Sequence, residues 1–317
     1  MSDKPFWLSG GRNLARRLFR VLQVLLLSAP VFAHCAVSVV TTTADLRSMT
    51  EALGGDRIHV TSLVPNAGDA ENYVPRPQDV ERLRQAQLIV RVGVDYDLWL
   101  DKLITKAGNA SIRRGAPGYV DASRGVTLLE VKTGGISTDG HSHGAGNPHY
   151  WLDPENAIFI SASITGALAQ LDPSGSQHYE RLRNAFLARL KLSIPLWQEK
   201  LAHLNGRPML VYHNSWPYFS RRFRLNIAAA IEPKPGVAPS PAALARLLRQ
   251  IRDDQIQVIV REPQEPSRDV DFLAAKAGAR VAVLAASVGD TAQALDYFSL
   301  FDANVSALIA AFPSSIK

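Results

Sequence analysis

The stretch DPSGSQHYERLRNAFLARLKLSIPLWQEKLAHL, residues 172–204, decides how the rest of the chain is read. Asp172-Pro173-Ser174 carries the residues of a helix start, and about 28 residues with a helical pattern follow from Gln177 to Leu204. At 1.5 Å per residue that is about 40 Å, the span of a domain rather than of a strand-to-strand crossover. Pro195 lacks a backbone donor and crowds the preceding turn, so a kink is expected there. A helix of this length with alternating strands and helices on both sides reads as a connector between two lobes.

On its N-terminal side, Val37–Thr42 is β-branched and ends at Thr43-Ala44-Asp45, a helix start. Ile58–Val64 is the next strand, closed by Pro65-Asn66-Ala67-Gly68. Pro77-Gln78-Asp79 opens a helix with Val80, Leu83 and Ala86 at helical spacing. Leu88–Val94 is a third strand and Asp97–Ala107 a helix. The Gly-, Ser-, Thr- and His-rich stretch Val126–Gly146 reads as a loop, and regularity returns with a helix from Trp151. On the C-terminal side, strands at Met209–Tyr212, Leu225–Ile231, Gln257–Val260 and Arg280–Leu284 alternate with helical segments. One of those is capped by Ser240-Pro241, and a last helix runs from Ala292 to Phe312. The fold class is therefore α/β: two lobes, each with a parallel β-sheet flanked by helices, joined by one long connecting α-helix. The expected divisions are 1–33 as leader, 34–171 as first lobe, 172–205 as linker and 206–317 as second lobe.

The chain of 317 residues is long enough for two such lobes, and 46% hydrophobic with 20% charged residues is a globular composition. The formal charge of +6 is mostly in the leader, where Lys4, Arg12, Arg16, Arg17 and Arg20 stand against Asp3. About +2 remains for the rest, which removes the case for a nucleic-acid partner. Basic residues, the apolar run Val21–Leu27 and the small-residue exit Val31-Phe32-Ala33 have the layout of a cleaved secretory signal, with periplasmic localisation. Arg16-Arg17 also fits a twin-arginine export signal. Cys35 is the sole cysteine, so no intramolecular disulfide can form.

Two histidines stand at loop edges after strands, within Asn147-Pro148-His149-Tyr150-Trp151-Leu152-Asp153-Pro154 and Val211-Tyr212-His213-Asn214-Ser215-Trp216. Neutral imidazole is a good ligand for zinc, copper and nickel, and loops at strand ends bring distant segments together. Plainer roles stand beside this. His149 could cap the helix that Asp153-Pro154 begins, and His213 could pack beside Trp216. Glu71 could be a solvated loop carboxylate, and Glu262 could pair with Arg261 or Arg268. Tyr73, Trp151 and Trp216 read as wall and core.

With Glu232–Pro241 and Asn72-Tyr73-Val74-Pro75-Arg76-Pro77, these phrases make the chain from about Val37 to Phe312 resemble the periplasmic metal-binding proteins of ABC importers for zinc and manganese. The resemblance implies a metal held in the cleft between lobes by four side chains. His149 and His213 match its second and third ligand positions. At the first position, where a histidine is expected, stands Glu71. At the fourth, where an aspartate is expected, stands Ala286. Three ligand sets follow. Glu71, His149, His213 and Glu262 form one. The second has three ligands completed by water or by His141 or His143 of the loop. In the third, the site is degenerate or reassigned to another solute.

The implied role is capture of a divalent metal as transported ligand, with zinc the first expectation and manganese or iron the others. The implied partners are ABC permease subunits in the inner membrane and a periplasmic metallochaperone, with the protein itself a monomer. A secreted metalloenzyme is the competing class, since an open coordination position suits metal-bound water. No His-Glu-x-x-His helix, serine elbow or phosphate loop supports it. A non-metal solute bound through Arg261 and the cleft aromatics is the third class.

Overall fold

The computed structural model describes residues 36–131 and 146–312. The leader, Cys35, His141 and His143 lie outside the described residues. Val37–Thr41 (β1), Ile58–Ser62 (β2), Leu88–Arg91 (β3) and Tyr119–Asp121 (β4) form one parallel sheet in the order β2-β1-β3-β4. Pro208–Val211 (β5), Asn226–Ala230 (β6), Val258–Arg261 (β7) and Arg280–Val283 (β8) form a second in the order β6-β5-β7-β8. The two lobes thus repeat one topology. In each, the first strand of the lobe sits inside the sheet, and the chain turns back past it to build the other side. The carboxyl ends beside that reversal are where an open α/β sheet leaves a crevice.

The helices are Ala44–Gly54 (α1), Pro77–Gln85 (α2), Trp99–Ala107 (α3), Ala157–Leu171 (α4), Ser176–Leu201 (α5), Pro217–Phe223 (α6), Pro241–Asp253 (α7), Ser267–Ala277 (α8) and Tyr297–Ala311 (α9). Polar side chains mark several starts. Thr43 accepts from Leu46 N–H and Ser240 from Ala243 N–H, while Asp296 accepts from both Phe298 and Ser299 N–H. That last cap explains why the final helix begins at Tyr297 and not at Ala292: the chain is helical only once orphan amides have an acceptor. Two short 3₁₀ turns, Tyr150–Leu152 and Pro154–Asn156, precede α4 where an α-helix from Trp151 was expected. The three-residue β4 is an addition to the strands read from the sequence.

The connecting helix α5 spans 26 residues and continues across Pro195. Tyr179, Phe186, Leu190, Ile194, Trp197 and Leu201 form its buried stripe. It packs on α1 and α4 of the first lobe and on α6 and α9 of the second. Trp197 stacks on Phe301 at 4.8 Å between ring centroids and donates its indole N–H to Asp302. These side chains belong to one apolar cluster that runs without a break from the inner face of one sheet to that of the other. Smaller clusters under α2–α3 and under α7–α8 seal the outer faces. Burial of a shared core makes separation of the lobes expose apolar surface, which holds them together. No helix among the described residues is long and apolar enough to cross a membrane.

Candidate metal centre

A cleft of about 310 Å³ opens between the carboxyl ends of the two sheets, and His149, His213 and Glu71 meet in it. One ligand atom from each lies within 4.8 Å of the others. His149 Nε2 is 3.5 Å from Glu71 Oε1, and His213 Nε2 is 3.8 Å from the same oxygen. The imidazole centroids are 5.5 Å apart, 64 positions apart in the chain. Two zinc bonds of about 2.0–2.1 Å at a tetrahedral angle hold their donor atoms roughly 3.4 Å apart. The two separations from Glu71 Oε1 are close to that distance, and all three donors lie within 4.8 Å of one another.

Each donor is fixed by its own loop. Glu71 follows β2 in a turn built on Asp69, whose carboxylate accepts from the N–H groups of Glu71 (2.9 Å) and Asn72 (3.0 Å). Trp99 clasps the same turn by donating its indole N–H to Ala70 O at 2.9 Å. His149 is set by Asn147, whose Oδ1 accepts from the His149 backbone N–H at 3.0 Å and lies 3.2 Å from its Nδ1. Nδ1–H pointing at that amide oxygen leaves Nε2 with its lone pair toward Glu71. Asn147 in turn donates to Asn214 O (2.8 Å) and Glu130 Oε2 (3.1 Å), and its carbonyl accepts from Tyr218 OH. Tyr96 and Trp151 wall the ring at 5.5 and 5.2 Å between centroids.

Tyr96 stands on a loop of unusual backbone. Gly93, Val94 and Asp95 all have positive φ, which is strained for a β-branched residue such as Val94. The buried Asp97 carboxylate offsets that strain by accepting from Val92 and Gly93 N–H and from Arg91. Burial pushes the Tyr96 hydroxyl well above its ordinary pKa, and the Glu71 charge adds to it.

His213 follows β5. Its Nδ1 is 2.5 Å from Glu232 Oε2, and its backbone N–H donates to Glu265 at 3.1 Å. Burial opposes its charge, yet the Glu232 and Glu71 carboxylates outweigh burial and push its pKa up to about 11. Glu262 lines the same cleft but stands outside the group of three. Ser215 Oγ donates to its Oε1 and Gln264 Nε2 to its Oε2. Burial and the neighbouring Glu265 push its pKa upward. Arg261 does not pair with that carboxylate and does not line the cleft: its guanidinium donates to the carbonyls of Glu262, Pro263 and Glu265.

Ala286 also faces the cleft, nearly buried. Its loop is tied to the first lobe. Trp151 Nε1 donates to Ala286 O at 2.9 Å, Val288 N–H donates to Asp45 Oδ1 at 2.9 Å, and Ser287 Oγ donates to Asp45 Oδ2. Gly289, at φ +87°, lies so close to Asn66 that a Cβ there would fall 2.6 Å from it. Glu232, Glu265 and Asp45 are the site neighbours that sequence reasoning missed. The only signal for Glu232 was its place in the Glu232–Pro241 phrase.

The chain is similar to known proteins along most of its length. A putative metal-binding protein of Treponema pallidum (strain Nichols) is 27% identical over 248 residues, 77% of each chain. The high-affinity zinc uptake system protein ZnuA of Bacillus subtilis (strain 168) is 25% identical over 279 residues, 85% of this chain and 86% of that one. The manganese ABC transporter substrate-binding lipoprotein PsaA of Streptococcus pneumoniae is 27% identical over 241 residues, covering 73% and 74%. Among solved structures, a crystal structure of ZnuA superposes with a TM-score of 0.74 at 26% identity, over 87% of this chain and 99% of that one. The family model described as zinc-uptake complex component A, periplasmic, matches residues 39–311, and the chain belongs to that ZnuA family.

Proposed function

We propose that the protein captures a divalent transition metal, zinc above manganese or iron, outside the inner membrane and delivers it to the permease of an ABC importer. The observation that carries this reading is the convergence of the Glu71 carboxylate with the Nε2 atoms of His149 and His213. Two imidazoles and one carboxylate are a good zinc donor set; manganese favours oxygen-rich sites of higher coordination. The relatives' names, zinc uptake for one and manganese transport for another, support a metal cargo and leave the choice between ions to the donor chemistry. In this reading water occupies the fourth position, over Ala286. Capture and delivery, not catalysis, is the role. The first lobe (34–171) supplies Glu71 and His149, the second (206–317) supplies His213, and 172–205 joins them. The leader 1–33 places the mature protein in the periplasm, where a metallochaperone is a second partner beside the permease and the protein works as a monomer.

The test is to purify the mature protein without an affinity tag, dialyse it mildly and measure bound metal by mass spectrometry. A His149→Ala, His213→Ala double variant is treated alongside. The wild type should retain close to one zinc ion per chain and the variant almost none. Equal metal content in both would remove the basis of the proposal.

A further inference from the structure

We propose that Glu232 is the positioning residue of this metal site, acting through His213 and not as a ligand itself; this rests on the donor set proposed above. Glu232 is absent from the group of three donors, yet its Oε2 lies 2.5 Å from His213 Nδ1. Its other oxygen, Oε1, accepts from Gly236 N–H at 2.6 Å, so the carboxylate is itself anchored by the turn that follows β6. A carboxylate in this place fixes the ring plane and the tautomer: Nδ1 must carry the proton, and Nε2 presents its lone pair to the cleft. It also makes the imidazole a stronger donor than one held by a neutral amide, which is how Asn147 holds His149.

The backbone brings these two side chains together by a specific irregularity. In the parallel pairing of β5 with β6, Met209 faces Ile227 but Leu210 faces Ala229, so Ala228 is one extra residue. Beyond it Val211 faces Ala230, and Glu232 N–H donates to Tyr212 O. Counting on from that register, Glu232 stands beside His213. In an unbroken pairing Ile231 would stand there, because one residue of slip exchanges neighbours and faces. Bulges commonly re-aim a side chain next to a functional site. Here the bulge supplies the apolar strand end with its carboxylate.

A double-mutant cycle tests the proposal. Zinc dissociation constants are measured by chelator competition for the wild type, Glu232→Ala, His213→Ala and the double variant, with Glu232→Gln as the conservative replacement. Glu232→Ala should weaken zinc about 10- to 100-fold. Glu232→Gln, whose amide oxygen still accepts from Nδ1–H, should recover part of that loss. On the His213→Ala background Glu232→Ala should change the constant by less than about twofold, since the effect travels through the ring. Metal-free Glu232→Ala should melt below wild type, because it removes one partner of a close and largely buried charge pair, so every constant is measured at a temperature where each variant is folded. The proposal is overturned if Glu232→Ala leaves the constant unchanged, if Gln recovers nothing, or if the loss persists undiminished without His213. If the wild type itself binds no zinc, the metal reading fails first and this proposal falls with it.

Discussion

His149 and His213 are donors of one kind held by unequal partners, and Ala286 lines the same cleft at the position where the resemblance implies an aspartate ligand. Ala286→Asp should therefore close the site. Zinc affinity is expected to rise at least about tenfold, roughly 1.4 kcal/mol, in chelator competition; no gain would show that this position does not look onto the ion. Glu71→Ala should weaken zinc by about tenfold or more, because it removes the only carboxylate within the group of three. An unchanged constant would take Glu71 out of the donor set. That both imidazoles and Glu71 meet in the cleft was legible in the sequence, Glu71 from the resemblance and the imidazoles from their phrases at strand ends, where loops of an α/β sheet gather. Glu262 was legible as a cleft residue for the same reason. Its oxygens are engaged by Ser215 and Gln264, a local arrangement that spacing does not encode. Glu232 was not legible as a partner of His213, since their meeting depends on strand register and on the extra residue Ala228.

Elements with strong periodicity were read correctly, and those decided by a few polar contacts were not. The long helix announced itself through its apolar stripe, and the two sheets through β-branched runs separated by helices. Tyr119-Val120-Asp121 is too short to leave a pattern, and pairs as β4 because Ile89 and Val90 lie alongside it. The turns at Tyr150–Asn156 follow from Asp153, whose carboxylate accepts from Glu155 N–H and also receives Arg222 from α6. That contact joins the end of one lobe to a helix of the other: Arg222 Nε and Nη2 lie 2.7 and 3.1 Å from the two oxygens of a carboxylate with no exposed surface. Arg222→Met keeps the stem and removes the charge, leaving Arg221 at 3.5 Å as the remaining cation on Asp153. Loss of one member of a buried pair should cost about 3 kcal/mol in denaturant unfolding of the metal-free protein. A loss under about 1 kcal/mol would mean that this contact behaves as a surface ion pair and does not tie the lobes.

Across the whole molecule, buried carboxylates at and behind the cleft give metal-free stability a definite dependence on pH. Burial pushes Asp45 up to about 7 and Asp290 up to about 6. Burial raises Glu262 and Glu265 as well, and their proximity adds to the effect for Glu262. A carboxyl whose folded pKa exceeds its unfolded one contributes stability below about pH 4 that is lost as pH rises through the folded value. For Asp45 alone, the loss between pH 5 and 8 is roughly 2–3 kcal/mol. His213, also raised, keeps its proton throughout that range while an unfolded imidazole loses its own near pH 6.5, so it adds to the fall in stability above that pH. Asp172 works in the other direction: despite some desolvation, hydrogen bonds from Ser174, Tyr179 and Arg57 lower its pKa, so its contribution fades only in strong acid. The metal-free protein should therefore unfold more easily at pH 8 than at pH 5. Metal binding has the opposite slope, because the ion must displace the proton of His213 and competes better as protons become scarce. Stabilisation by a ligand grows with the ratio of its free concentration to its dissociation constant. At fixed free zinc, the rise in melting temperature on loading should accordingly be larger at pH 8 than at pH 5.5. Asp45→Asn, which keeps an acceptor for Val288 N–H but cannot ionise, should flatten the metal-free curve while leaving the zinc-induced gain increasing with pH. If calorimetry instead finds metal-free stability rising from pH 5 to 8 in both proteins, the buried acids are ionised at neutral pH, and these carboxylates do not set the balance.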